Sequence, residues 1–336
     1  MRRSFAGLAV LTLALAVTPA LPTQLAAADE PCQKLPSWHS FDIEGIDPSG
    51  RFKVVTTRGD GMATTGIGIF RNGVAADLVP ITRASYTEAN DVNVRGVAVG
   101  SVSGSGSNPI PFAAWRITSA GKTVLPEAES SRVFGSKPVA INAAGEIAGT
   151  GNLDTHGEGH ITKRAVLWSP DNVIRVLPVP AGFTDATATD IDDDGTVVGY
   201  ATDVDANSMP ANQQPVVWPA DGGYRILPTS NTVDGYSTVE AVRNGIAVGA
   251  DNEQAVSWRL DGDTKTILDP TASWSLARFV NAGGDILVER TAGADGGWVS
   301  TSDLIRRGQP AQHVGDRISY GLDDFGRAYV RYVGSC

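Results

Sequence analysis

Seven short stretches of this chain share one pattern, and that repetition constrains the fold more than any other feature. They read IDPSGRFKVV from Ile46, VNVRGVAVG from Val92, INAAGEIAG from Ile141, IDDDGTVVG from Ile191, VRNGIAVG from Val242, VNAGGDILV from Val280 and LDDFGRAYV from Leu322. Each has an apolar residue, usually Asn or Asp next, a turn glycine, and then a β-branched or small apolar run. The glycines are Gly50, Gly96, Gly145, Gly195, Gly245, Gly284 and Gly326. Six of the turns are followed by a second element: GIGIF, PFAAW, RAVLW, QPVVW, QAVSW and GGW, ending at Phe70, Trp115, Trp168, Trp218, Trp258 and Trp298. A third comes after it in most copies: ADLVP, KTVLP, IRVLP, YRILP or KTILDP. Between the second and third lie Arg71-Asn72-Gly73, Pro170-Asp171-Asn172, Asp221-Gly222-Gly223 and Asp261-Gly262-Asp263, all hairpin turn chemistry. No sustained helical periodicity interrupts this order. Each unit therefore reads as four short strands over roughly 40 to 50 residues, the period of propeller blades.

A lone four-stranded blade cannot bury both faces, so it needs a neighbour on each side. The pairs Val166/Trp168 and Val216/Trp218 are suited to press one blade onto the next; a ligand platform is the other use such tryptophans have. The seventh turn has too little chain behind it to finish a blade. Gln33-Lys34-Leu35-Pro36 matches the KTVLP element and stands before the first blade. The expected fold is an all-β, seven-bladed propeller over residues 29–336, with the N-terminal strand completing the last blade. Cys32 and Cys336, the two cysteines of the chain, then form a disulfide that locks the ends, worth up to about 5 kcal/mol by loop entropy.

Residues 1–28 read as a signal peptide: Arg2 and Arg3 form a charged start, Ala6–Val17 an apolar run, and Ala26-x-Ala28 a small-residue cleavage site. The apolar run is too short to span a membrane, and no later stretch approaches that length. Secretion to the extracellular space follows, in an oxidising setting where two cysteines pair. Removing two arginines and no acid takes the net charge from -10 to -12. Such an acidic balance, without a run of basic residues, argues against nucleic acid as a partner. A monomer is expected.

At this point the repeats resemble the HAF-repeat family of extracellular bacterial proteins. Its unit couples an Ile-Asn-x-x-Gly-x-Ile-x-Gly turn to a His-Ala-Phe-x-Trp-like strand. Ile141–Gly149 fits the turn and Ala165–Trp168 fits the strand, although no copy contains His-Ala-Phe and the third element ends in Leu-Pro. The resemblance implies a secreted, repeat-built propeller and carries no catalytic residue with it.

Strand direction alternates within a blade, so the tight turns share one face and the longer connections the other. The longest are Ser101–Pro111, Gly151–Lys163 and Thr202–Pro215, which makes that face the expected binding surface. Trp38, Tyr86, Phe134, Phe183, Tyr236 and Trp274 each precede a turn glycine by nine to twelve residues, and His313 stands in a similar place before Gly326. They form either a ring of wedges between blades or an aromatic-lined pocket at the channel mouth for a glycan or apolar ligand. Trp38 and Trp274 are expected to be the most exposed.

Asp190-x-Asp192-x-Asp194-Gly195 supplies carboxylates at alternate positions, as a calcium loop does, but Ala201 stands where a bidentate Glu would close it. Sister turns use Asn-Ala-Ala-Gly or Asp-Pro-Ser-Gly, so turn chemistry accounts for these aspartates and calcium is the alternative; no other cofactor is indicated. Asp154, His156, Glu158 and His160 lie in a glycine-bearing loop without HExxH spacing. Neither a GxSxG nor a Walker-type motif is present. The reading is a secreted binding module for an extracellular glycan or protein, with no catalytic residue assigned. The alternative is a glycan-active propeller enzyme, hydrolase or lyase, for which Glu127, Glu129, Asp185 and Asp234 are the acids best placed.

Overall fold

The computed structural model describes residues 41–58, 64–80, 86–103, 113–127, 135–154, 161–204, 210–230, 236–270, 272–294, 297–315 and 319–330. Six four-stranded antiparallel sheets follow one another. The first is β1–β4 (Phe41–Ile46, Phe52–Arg58, Thr64–Arg71, Val74–Pro80) and the second β5–β8 (Tyr86–Val92, Ala98–Ser103, Ala113–Thr118, Gly121–Val124). The third is β9–β12 (Ser136–Ile141, Ile147–Asp154, Ile161–Trp168, Ile174–Val176) and the fourth β13–β16 (Asp185–Ile191, Val197–Val204, Pro210–Trp218, Arg225–Ile226). The fifth is β17–β20 (Ser237–Arg243, Ile246–Asp251, Gln254–Arg259, Thr264–Ile267) and the sixth β21–β24 (Trp274–Val280, Ile286–Ala294, Gly297–Ile305, Gln312–Gly315). A two-stranded sheet, β25 (Ser319–Leu322) and β26 (Ala328–Val330), ends the described chain. No described helix is long and apolar enough to cross a membrane.

The chain is thus an all-β propeller. The expectation of seven four-stranded blades is corrected: the described residues form six, and the seventh repeat contributes two strands, because only its turn and flanks belong to the described chain. The N-terminal strand at Gln33–Pro36 and the Cys32–Cys336 pair lie outside the described residues, as does the signal segment.

The turn residue after the apolar position explains why the blades stand in a ring. In the third blade Asn142 Oδ1 accepts from Gly145 N and Glu146 N at 3.0 and 2.9 Å, closing its own turn. Its Nδ2 donates to Asp192 O of the fourth blade at 3.1 Å. Asn93 makes the same reach to Asn142 O, and Asn281 to Asp323 O, both at 3.0 Å. Asp192, lacking an amide, accepts instead from Gly245 N at 3.0 Å. Asn244 Nδ2 donates to Ala282 O at 3.3 Å, tying the fifth blade to the sixth. The two-stranded sheet sits between the sixth blade and the first: Asp324 N donates to Pro48 O at 2.7 Å, and Lys53 lies 4.8 Å from the centre of the Tyr329 ring.

Two glycines of the motif have separate causes. Gly195 has φ 86°, a left-handed turn conformation. Gly199, four residues on, has no room for a side chain: a Cβ there would come within 2.0 Å of Thr187 O, where the inner strand bulges against its neighbour.

Trp168, Trp218 and Trp258 are fully buried, and each indole N–H donates 2.8 Å to the proline carbonyl of the preceding blade's Leu-Pro element: Pro126, Pro178 and Pro228. The leucines of that element, Leu125, Leu177 and Leu227, are buried beside them. Each core cluster mixes two adjacent blades, as Val198 and Val217 do with Val256 and Trp258. Trp115 is also fully buried but pairs with Gly100, while Ile117 takes the register position that Trp168 holds in its blade. Trp298 pairs with Gly293, and Ile305 opposite Ile286 takes the tryptophan's place in the sixth blade. Counting to the next tryptophan misplaces the register there because β23 is longer. Trp218→Ala is expected to lower stability by about 3–5 kcal/mol in denaturant titration, and Trp218→Phe by less, since it keeps most apolar area and loses the hydrogen bond to Pro178 O.

Candidate functional site

The seven inner strands β1, β5, β9, β13, β17, β21 and β25 surround a central cavity of about 200 Å³. They bulge at one place, each skipping a residue in its pairing with the next strand, for instance between Ala89 and Asp91 and between Ala188 and Asp190. The skipped residues are Glu44, Asn90, Val139, Thr189, Glu240, Arg278 and Tyr320, and all seven line the cavity. Each stands three positions before the turn residue at Asp47, Asn93, Asn142, Asp192, Arg243, Asn281 or Asp323. That spacing was the available sequence signal; strict alternation hides it, because a bulge shifts the side-chain phase by one.

Much of the polar lining is occupied in joining blades. Asn90 Nδ2 donates to Pro138 O at 2.5 Å, and Thr189 Oγ1 to Val239 O at 2.7 Å. Asp91 accepts from Val92 N at 2.7 Å and from Ile141 N of the next blade at 2.8 Å. Asp190 repeats this with Ile191 N and Val242 N, both at 2.8 Å. Arg278 lies between Glu240 and Glu289 at 3.3 and 3.1 Å. At the turn face, Arg243 stands where other blades have Asn or Asp. It reaches Asp193 at 2.5 Å and Asp324 of the seventh repeat at 3.1 Å, lacing that mouth. Burial opposes its charge, but the hydrogen bonds and attraction of Asp324 and Asp193 outweigh burial and raise its pKa.

The aromatic ring inferred from spacing is dispersed. Phe183 packs against the core between the third and fourth blades, a wedge. Trp274 opens β21 opposite Thr291 and is half-buried. Tyr236, just before β17, is 53% exposed and bridges to Gln213, so it and not Trp274 presents the more open ring. Tyr86 opens β5; Trp38 and Phe134 lie outside the described residues. His313 is on the outermost strand of the sixth blade, 3.1 Å from Asp303, not in a crossover. The count back from Gly326 lands there because the connection into β25 is short. Of the five that are described, none lines the cavity, whose described aromatic residues are Phe279 and Tyr320.

Asp190, Asp192 and Asp194 do not converge. Asp190 faces the cavity, Asp192 is buried in its turn and holds Asp193 N and Gly245 N, and Asp194 accepts from Thr196 N at 2.8 Å. Among the described residues no three His, Cys, Asp or Glu are grouped to hold a metal ion. Asp185 is buried with Lys163 N 3.3 Å away; neither it nor Glu127 lines the cavity. Glu129, Asp234, His156, Glu158 and His160 lie outside the described residues. The long connections are partly strand: Gly151–Asp154 continues β10 and Thr202–Val204 continues β14, since the β-branched and polar residues there pair across an extended hairpin.

Burial, with repulsion from Asp190 and Asp47 for the first and from Asp192 for the second, pushes Asp91 up to about 8 and Asp190 up to about 7, against the opposing pull of their backbone donors. Both folded values exceed the ordinary 3.8, so the folded state holds extra protons between about pH 4 and 8. The stability these groups contribute is therefore complete below pH 4 and lost as pH rises through 7 and 8. Thermal unfolding measured from pH 4 to 9 is expected to show this decline, and the Asp91→Asn variant a shallower one.

No known protein family matches the chain, and no curated protein matches it. Among solved structures it is similar to selenomethionine-substituted virginiamycin B lyase from Staphylococcus aureus, at 13% identity and TM-score 0.46 over 84% of this chain and 92% of that one. A streptogramin B lyase structure matches at 14% identity and TM-score 0.46, over 84% and 91%. The tricorn protease matches at 12% identity and TM-score 0.30, over 85% and 37%.

Proposed function

We propose that this protein is a secreted propeller that binds an extracellular glycan or protein on the face opposite the tight turns. The observation that carries this reading is the set of hairpins rising from that face. β10 pairs with β9 only as far as Gly151, yet continues with β11 to Asp154 opposite Ile161. β14 passes its last inner-strand partner at Thr202 and continues to Val204, and β22 passes Thr291 and continues to Ala294. Two or three residues of added strand raise each hairpin about 7–10 Å above the inner ring. Tyr236 stands at the foot of β15 with an open ring, the kind of surface that stacks on a sugar or an apolar side chain. The cavity itself, at about 200 Å³, is smaller than ordinary ligand pockets, and much of its polar lining is engaged in joining blades.

The runner-up is an enzyme acting on extracellular glycans. What favours it is the pair Asp91 and Asp190, whose raised pKa values suit proton transfer near neutral pH. Against it, both oxygens of each carboxylate already accept a backbone N–H. The same proposal includes export by the residue 1–28 signal segment, membership of a HAF-like repeat class, and completion of the seventh blade by the N-terminal strand with a Cys32–Cys336 bond. Calcium at the Asp190–Asp194 turn is not part of it.

A glycan array probed with the mature protein tests the binding reading: Tyr236→Ala is expected to weaken captured glycans about tenfold or more while leaving the melting temperature within about 2 °C. Product release from those glycans would favour the enzyme. Peptide mapping without reductant is expected to find Cys32 joined to Cys336, and Cys336→Ala to lower stability by about 2–5 kcal/mol; two free thiols would remove the covalent closure.

A further inference from the structure

The turn face has an uneven charge distribution that the chain order conceals. On the turn edges of the first two blades stand Arg51, Lys53, Arg71, Arg95, Arg116 and Lys122. The one carboxylate of those described turns, Asp47, is fully buried and bonded to Ser49 N and Phe52 N. The corresponding edges of the third and fourth blades carry Glu146, Asp171, Asp193, Asp194 and Asp221 beside two cations, Arg175 and Arg225. A protein of net charge -10 thus gathers six cations on one arc.

Five of these six cations are placed rather than free, Lys53 by the Tyr329 ring and the others as follows. Arg51 and Arg71 both lie 5.8 Å from the centre of the Phe52 ring, and Lys122 lies 5.9 Å from that of Trp115. Arg51 Nε also donates to Ser49 Oγ at 3.0 Å. Arg116 is held by the carbonyls of Pro170 and Gly145 at 2.7 and 2.9 Å. Among the described residues no carboxylate forms an ion pair with Arg51, Lys53, Arg71, Arg95 or Lys122. Side chains already stacked on rings lose little freedom when an anion arrives.

We propose that the turn edge of the first two blades is a docking surface for an extended anionic glycan, a chain of sugars carrying carboxylate groups. The spread of the cations over two blades exceeds the reach of one small anion, which favours a polymer. Exposed Val74, at 67%, and the half-buried Phe52 lie among them, offering apolar faces to sugar C–H groups. The acidic remainder of the surface repels a stiff, densely charged polymer such as nucleic acid, while a flexible chain of sparser charge can follow the arc. This surface lies on the face opposite the one proposed above for ligand binding and stands independently of it.

The test is affinity electrophoresis of the whole protein in gels containing polygalacturonate, neutral dextran or single-stranded DNA. Retardation is expected in polygalacturonate alone, weakening several-fold between about 0.05 and 0.2 M salt. The triple variant Arg51→Glu, Arg71→Glu, Arg95→Glu is expected to bind at least about tenfold more weakly, since three exposed charge contacts contribute several-fold each. Arg259→Gln, an exposed cation on the fifth blade paired with Asp261 at 2.9 Å, should bind as the parent does. Tyr236→Ala should also bind as the parent does, which separates this surface from the opposite face. Absence of retardation, equal retardation by DNA, or an unchanged triple variant with a native melting temperature would each overturn the proposal.

Discussion

A side chain that closes its own turn and also grips the next one holds this ring together. Asn142 is the clearest case: its carbonyl oxygen satisfies two N–H groups of its tight turn, and its amide donates across the seam to Asp192 O. A buried turn leaves backbone donors without water, so such a residue offsets a desolvation cost of about 1–3 kcal/mol for each group satisfied. Because the second contact spans two blades, no blade can set its turn independently of its neighbour. Asn93 and Asn281 repeat the geometry, Asp192 reverses the polarity of the cross-seam bond, and Asn244 takes the task over where Arg243 occupies the motif position.

The inner strands answer the same demand on the cavity side. Closing seven strands around a narrow axis crowds their backbones, and each relieves the crowding with a bulge next to the neighbouring strand. The bulge turns one extra side chain inward per blade. The residues there have diversified into amide, hydroxyl, carboxylate, guanidinium and phenol, and several reach across to the following blade. Asp91 and Asp190, one position on, use both oxygens on backbone donors while enclosed deeply enough that their ionisation is opposed. The axle of the propeller is consequently a polar, self-bonded structure.

The two faces differ for a related reason. On the turn face, short connections leave little freedom, and charged residues at turn tips lie in fixed positions against rings and carbonyls. On the opposite face the second and third strands of the third, fourth and sixth blades extend past their inner strand, which raises their ends above the ring. Arg243, laced between Asp193 and Asp324, closes the cavity toward the turn face.

The repeated turn and the Trp and Leu-Pro elements were enough to read the propeller, because a strand period and a turn glycine are local properties that short-range sterics enforce. The burial of Trp115, Trp168, Trp218 and Trp258 between blades was legible for the same reason. The aromatic ring was not: Phe183, Tyr236, Trp274 and His313 share a spacing from the turn, yet crossover length and bulge placement send them to a seam, an open edge, a strand start and an outer strand. The aspartates at Asp190, Asp192 and Asp194 look like one cage in the sequence, and the bulge and turn point them apart. The cavity lining showed in the sequence only as a fixed spacing before each turn residue, which strict alternation hides, and the basic arc had no local signature; ring closure joins residues as far as 278 positions apart, as in the seam where Arg327 donates to Ser49 O. The sequence by itself determined the repeating unit, its strands and its turns, which depend on neighbours along the chain. Which side chains share a surface was decided only by closure of the ring, because electrostatics and packing act through space and are indifferent to chain order.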